Sequence, residues 1–173
     1  MRIAVVGSHG TGKTTVAENV SKKTWLPKLD EVAREVMDMF GKRPQDMTPE
    51  ERKRFQIDVY FLQHDKEDNK ESFISDRGIY DNLAYVYFVE EKLYELLKRK
   101  TKEVHQWYDK VYYTPIEFEL QQDGVRFEDL EFQKQIDYKI KEILNVLNIE
   151  YEVLSWSTKQ REQQILSYIQ SQW

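Results

Sequence analysis

Residues 7–14 read Gly7-Ser8-His9-Gly10-Thr11-Gly12-Lys13-Thr14, a fit to G-x-x-x-x-G-K-[ST] at every position. The run follows the apolar segment Ile3-Ala4-Val5-Val6 and precedes Val16, Ala17 and Val20, which recur at helical spacing. A buried strand that turns through glycines into a helix presents a nest of main-chain N–H groups at the helix N-terminus, a natural anion site. Glycines allow positive φ and a close approach of backbone to phosphate oxygens. Lys13 is expected to reach the β- and γ-phosphates of a nucleotide, and the Thr14 hydroxyl to ligate Mg²⁺. The nucleotide-binding set is therefore Gly7, Ser8, His9, Gly10, Thr11, Gly12, Lys13, Thr14 and Thr15. Within it His9 reads as a spacer, with no chemistry assigned to its imidazole. The plain alternative for the whole run is an ordinary glycine-rich turn.

With 173 residues the chain is expected to form a single domain, residues 1–173. It is too short for a (β/α)₈ barrel of roughly 250 residues. There is no cysteine, which removes disulfides, thiolate metal sites and a cysteine nucleophile. The net charge of −5 disfavours a globally basic nucleic-acid binder. No apolar run approaches the roughly 18 residues of a membrane span. The N-terminal segment reads as a strand rather than a signal peptide, and the expected compartment is the cytoplasm.

Strand and helix signals alternate along the chain, the pattern of a parallel sheet with helices on both faces. Strands are expected at Ile3–Val6, near Thr24–Leu29, at Ser72–Ser75, at Val111–Tyr113 and at Tyr151–Leu154. Leu29, Val32, Ala33, Val36 and Met37 form one helical stripe, with Gly41 placed for a left-handed cap. Thr48-Pro49-Glu50-Glu51 is a helix start with a capping box, and its helix should reach about Asp68. Helical patterning resumes at Ile79 and continues to about Lys100, with a break, and a short helix is expected around Val104, Trp107 and Tyr108. A polar loop over Pro115–Arg126 leads to a long helix ending near Leu147, and Ser157 or Thr158 opens the last helix.

Phe73-Ile74-Ser75-Asp76 has the form of a strand that delivers an acid to its carboxyl end, where the ligand crevice of a doubly wound sheet lies. Asp76 is a candidate to hold Mg²⁺ or to orient the attacking group. Arg77 suits phosphate or polar substrate contacts, and Gly78 frees the turn. The plain alternative is an Asp helix cap beside a surface Arg. Glu31 and Arg34 share a helix face opposite the apolar stripe. An acid there could approach an acceptor hydroxyl, with Asp30 a competing candidate; otherwise the pair is a solvated ion pair. Arg126, in Asp123-Gly124-Val125-Arg126, is a candidate lid arginine that would stabilise charge spreading in phosphoryl transfer. Tyr80, Tyr85, Tyr87 and Phe88 could stack on a base or fill the core. The basic run Lys98-Arg99-Lys100-Thr101-Lys102 complements a helix C-terminus, with a nucleic-acid patch as the alternative. Asn69-Lys70-Glu71-Ser72 lacks the Asp of a guanine-reading NKxD signature, which favours ATP over GTP.

The order of Gly7–Thr14, Glu31-Val32-Ala33-Arg34-Glu35, Asp76-Arg77-Gly78 with Asp81 and Tyr85, Asp123–Arg126 and Arg161-Glu162 resembles the small P-loop kinases related to the ribosylnicotinamide kinase domain of NadR-type regulators. The Asp-Arg turn is also similar to thymidylate and deoxynucleoside kinases. The resemblance implies a P-loop NTPase fold with a five-stranded parallel sheet in order 2-3-1-4-5. It implies ATP and Mg²⁺ as cofactors and a small nucleoside- or nucleotide-like acceptor. It places Glu31, Arg34, Arg77, Asp81 and Tyr85 on that acceptor, and Lys13, Glu31, Asp76 and Arg126 in catalysis. Two further readings are a regulatory ATPase without a small-molecule acceptor and a polynucleotide 5′-hydroxyl kinase; a basic channel would be the mark of the latter.

Overall fold

The computed structural model describes residues 1–103, 107–116, 127–154 and 157–172, with backbone only at 127–129. Its centre is strand β1 (Arg2–Val6). Ile3, Ala4, Val5 and Val6 are all fully buried, as expected for a parallel strand covered on both faces. β1 pairs in parallel with β3 (Phe73–Asp76) on one side and β4 (Lys110–Tyr113) on the other, and the register puts Val5 opposite Asp76 and Val6 opposite Tyr113. The two-residue strands β2 (Lys28–Leu29) and β5 (Glu152–Val153) form the edges. The order is β2-β3-β1-β4-β5, all parallel, as the family resemblance implied.

The strand alternation sorts the core. Ile3, Val5, Ile74 and Tyr112 face α1 (Lys13–Lys23) and α7 (Thr158–Ser171), meeting Val16, Val20, Ile165 and Ile169. Ala4, Val6, Phe73 and Val111 face α4 (Ile79–Val89), α5 (Glu91–Glu103) and α6 (Phe127–Val146), against Leu83, Leu97, Ile140 and Leu144. A smaller cluster joins α2 (Val32–Phe40) to α3 (Pro49–Asp68) through Val32, Val36, Met47, Phe55 and Val59. Among the described residues, no helix is long and apolar enough to cross a membrane.

Local signals act as expected at several boundaries. Gly41 caps α2 at φ 62°, and Thr48 and Glu51 close a reciprocal capping box at the start of α3. The break in the long helical stretch falls at Glu90, extended at φ −158°. Two readings change. Leu29 belongs to β2, where it pairs with Ser75, and the helix starts at Val32; sheet pairing wins over the helical spacing. Trp107 and Tyr108 are buried outside any helix, because both turn their polar tips to the buried Glu67 carboxylate. Val104 and the Asp123–Arg126 loop, including the expected lid residue Arg126, lie outside the described residues.

Candidate active site

The loop between β1 and α1 takes the backbone its glycines permit: φ is 145° at Gly7, 73° at Gly10 and 84° at Gly12. At Gly7 a Cβ would stand 2.3 Å from Thr114 Oγ1 and 2.6 Å from the Thr114 carbonyl, so the end of β4 excludes any side chain. Thr11 Oγ1 bonds Ser8 O (3.0 Å) and Thr114 Oγ1 (2.9 Å), closing the loop on itself and on β4. Gly12 is the N-cap of α1 and supplies no side-chain cap, which leaves the first amides of the helix open to an anion. The Ser8 hydroxyl is buried without a hydrogen-bond partner among the described residues. Arg161 on α7 donates to the Thr11 carbonyl at 2.6 Å, bracing the loop from the helix packed beside α1.

Lys13 folds back over this loop, its ammonium donating to the Ser8 carbonyl and lying 3.3 Å from Thr11 Oγ1. Burial, followed by the nearby Arg77 cation, lowers its pKa from 10.5 to about 8; Asp81, Asp76 and Glu31 oppose the shift. Thr14 is half-buried and Thr15 exposed on the first turn.

Asp76 ends β3 beside Val5, buried, and its carboxylate makes no hydrogen bond among the described residues. Arg77 follows at φ 80°, a left-handed conformation that opposes its Cβ by roughly 1–2 kcal/mol. The turn is held by the Arg77 N–H on the Val5 carbonyl (3.1 Å) and the Gly78 N–H on Asp81 Oδ2 (2.8 Å). This unusual backbone sends the Arg77 guanidinium to Glu31, with Nε 2.9 Å from Oε1, and over the Tyr85 ring at 5.3 Å. Burial alone would lower the Arg77 pKa; Tyr85, Glu31 and Asp81 outweigh it and keep the cation charged. Glu31 is the N-cap residue of α2 but spends no side-chain bond on capping, so its carboxylate remains with Arg77 and, at 3.5 Å, Arg34.

These groups border a cavity of about 760 Å³, within the size range of small-molecule sites. His9, Glu31, Arg34, Arg77 and Tyr85 line it, so four of the five expected acceptor residues are brought together. Asp81 is the correction. It is fully buried outside the cavity lining, and its two oxygens accept the Gly7 and Gly78 N–H groups, each at 2.8 Å. Asp81 thus ties the phosphate loop to the Asp76–Gly78 turn. Burial raises its pKa, offset by Lys13 and Arg77. Asp30 turns outward to Lys28 at 2.7 Å and is no part of the cavity wall.

Sequence reasoning missed part of the wall. Arg52, Phe55, Gln56 and Val59 on α3 line the cavity at i, i+3, i+4 and i+7. A polar residue sharing a helical stripe with two core residues was the available signal. Asn82 also lines the cavity, and its amide Nδ2 is buried without a partner among the described residues. The His9 imidazole, expected to be idle, stands 3.2 Å from the Tyr85 hydroxyl and joins the phosphate loop to the cavity wall. No cluster of three or more His, Asp or Glu side chains occurs among the described residues. Mg²⁺ held by one carboxylate, one hydroxyl and phosphate oxygens would need no such cluster.

A model of the family described as "AAA domain" matches residues 2–161. No curated protein matches the chain in sequence. Among solved structures, the chain is similar to deoxyadenosine kinase from M. mycoides with products dCMP and a flexible dCDP bound: 17% identity, TM-score 0.71, with 99% of each chain covered. It is similar to NadR in complex with NR at 20% identity and TM-score 0.72, covering 97% of this chain and 50% of that one. It also resembles shikimate kinase from Aquifex aeolicus vf5 at 18% identity and TM-score 0.61, with 99% and 98% covered. At these identities the likeness is one of fold alone.

Proposed function

The chain belongs to the AAA domain family, and from that premise we propose that it transfers a phosphoryl group from ATP, with Mg²⁺, to a small nucleoside- or nucleotide-like acceptor. The observation that carries the reading is the cavity of about 760 Å³ that begins at His9 of the phosphate loop and is walled by Glu31, Arg77 and Tyr85. A regulatory ATPase needs a loop for phosphates; it does not need an acceptor-sized pocket beside it.

ATP–Mg²⁺ supplies the transferable group and the charge that pulls on its oxygens. The chain's own residues supply position and field. Lys13 and the amides at the start of α1 hold the phosphates, and Thr14 with Asp76 would hold the metal. Glu31 orients the acceptor hydroxyl, its carboxylate fixed by the Arg77 bond at 2.9 Å. Arg77 and Arg34 add positive charge on the acceptor side. Arg126 is proposed as a further cation on the transferring group. The wall combines flat apolar surfaces with amides at Gln56 and Asn82, a mixture suited to a heterocycle that both stacks and hydrogen-bonds. That the similar structures include deoxyadenosine kinase and NadR with NR supports such an acceptor.

The test is incubation with ATP–Mg²⁺ and a panel of nucleosides, nucleotides, 5′-hydroxyl oligonucleotides and shikimate, read by mass spectrometry for a gain of one phosphate. A single nucleoside or nucleotide that gains phosphate supports the reading. Phosphorylation of the oligonucleotide or shikimate alone, or ATP hydrolysis with no acceptor modified, overturns it.

A further inference from the structure

The chemistry outlined above makes no use of the Glu67 carboxylate. Glu67, in the last turn of α3, is fully buried behind β3. Gln63 and Trp107 donate N–H bonds to it, and the Tyr108 hydroxyl donates at 2.7 Å to Oε2. Ser75 Oγ on β3 lies 3.3 Å from Oε1, and Tyr80 on α4 adds a second phenol nearby. The surrounding titratable and charged groups are few. His64 of α3 packs its ring 4.6 Å from that of Trp107, and Arg2 of β1 sits over the Phe73 and Trp107 rings while bonding the Glu67 main-chain carbonyl. No cationic side chain bonds the carboxylate among the described residues.

Two arms lead from Glu67 to the Asp76–Gly78 turn. Tyr108 Oη, while donating to Glu67, accepts the Ile79 N–H at 2.8 Å, at the first residue of α4. Ser75 Oγ reaches the Arg77 carbonyl as well as Glu67, with one hydroxyl proton between the two acceptors. The anchored groups, the Arg77 carbonyl and the Ile79 N–H, flank Gly78 and directly follow the left-handed Arg77, whose side chain lines the cavity. Gly78 is what lets Tyr108 come this close, since a Cβ there would lie 2.9 Å from its oxygen.

We propose that Glu67 is a positioning residue for the acceptor side of the site: through Ser75 and Tyr108 it holds the Arg77–Ile79 backbone and so aims Arg77 at Glu31 and the cavity. The kinetic consequence rests on the function proposed above; the coupling itself is a property of the free protein. The donor count explains the device. Gln63 and Trp107 only donate here, and Tyr108 can accept a second proton only by giving up its own bond to Glu67. The ionised carboxylate satisfies all three donors. A protonated one must turn its O–H onto Ser75, which frees the Ser75 proton for the Arg77 carbonyl, or onto Tyr108, which then gives up its bond to Glu67; either way the anchoring of the turn changes. Burial pushes the Glu67 carboxyl up to about 7, with the donors opposing, so both states are reached near neutrality.

The test is an NMR pH titration of the ¹⁵N-labelled free protein from pH 5.5 to 8.5. The Ile79 amide and the Arg77 Nε–H signal are expected to move together with a midpoint near 7. In Glu67→Gln the transition near 7 is lost from both, and the Arg77 Nε–H keeps only the response to Lys13 near 8. Tyr108→Phe keeps the carboxylate but cuts one arm: the Trp107 indole N–H still titrates, while the Ile79 movement falls at least threefold. His64→Gln, which removes the neighbouring imidazole, leaves the transition in place. With the acceptor identified by the panel, its kcat/KM falls on the acid side with the same midpoint in the wild type and not in Glu67→Gln, while the KM for ATP stays level. Signals at Ile79 and Arg77 that do not titrate, or that titrate unchanged in Glu67→Gln, overturn the proposal. Should Glu67→Gln fail to fold, an Ile79 movement undiminished in Tyr108→Phe overturns it instead.

Discussion

Lys13 has to be charged to hold a phosphate, yet the free protein makes that charge costly by burying it. Its pKa of about 8 means that the free protein loses this cation as pH rises through 8. Bound phosphates restore the preference for the charged form, so binding takes up a proton above that point. ATP–Mg²⁺ affinity should therefore be level at pH 6–7.5 and weaken by roughly tenfold per unit above 8. The same shift acts on stability with a definite sign. Between about 8 and 10.5 the unfolded chain carries the proton and the folded one does not, so this residue's contribution rises with pH in that window. Calorimetric titration checks the affinity: Lys13→Ala should bind at least 100-fold more weakly, with no alkaline decline of its own. Arg77 and Arg34 provide a second contrast. Arg77 has 12% of its side chain exposed and lies 2.9 Å from Glu31, whereas Arg34 is 72% exposed at 3.5 Å. An exposed pair contributes little and a buried one much more. Arg77→Ala should raise the acceptor KM at least tenfold with the ATP KM unchanged, and Arg34→Ala less than threefold. Steady-state kinetics varying each substrate separately checks both; equal effects would show that burial does not set their roles.

At the scale of elements, the site depends on turns whose backbone leaves no room for alternatives. Gly7 combines φ 145° with a virtual Cβ 2.3 Å from Thr114, at the junction of β1, β4 and the phosphate loop. Gly7→Ala must displace the loop or the end of β4, and should lower stability by at least about 2 kcal/mol. For a chain of this size that is a fall in Tm of roughly 4–8 °C. Scanning calorimetry checks it, with Gly41→Ala as a reference. Gly41 is also left-handed at φ 62° but has nothing within 4 Å of a Cβ, so only the conformational cost remains, about 1 kcal/mol. The contrast also explains what could be read in advance. The phosphate loop, the Thr48 capping box and the Asp76-Arg77 turn are local patterns, and each formed where its residues pointed. Leu29 misled because its strand pairing is with Ser75, a partner far along the chain. The resemblance implied Asp81 as an acceptor residue; only the fold brings the Gly7 and Gly78 N–H groups against its two oxygens. Gln56, Arg52 and Asn82 stayed hidden because a polar residue on a half-apolar helix face reads as surface until the opposite wall is known.

The whole molecule is organised so that the loops after β1 and β3 and the start of α2 leave the sheet at one edge, where parallel strands point their carboxyl ends. Asp81 bonds two of those loops together, Arg77 bonds the third through Glu31, and Thr114 seats the phosphate loop on β4. Nothing in that arrangement is independent of the sheet, so occupying the phosphate loop should stabilise the fold as a unit rather than a single loop. Ligand at 100 times its Kd adds about 2.7 kcal/mol to a two-state fold. At about 2–4 °C per kcal/mol for a chain of this size, ATP–Mg²⁺ at that excess should raise the wild-type Tm by roughly 5–10 °C. The same concentration should leave Lys13→Ala within about 1 °C of its ligand-free value, because the anion nest alone lacks the cation that makes binding tight. Calorimetry or fluorescence melting with and without ATP–Mg²⁺ checks both arms. A wild-type Tm that does not move, or one that moves equally in Lys13→Ala, would remove the nucleotide from this loop and the acceptor cavity from its proposed chemistry.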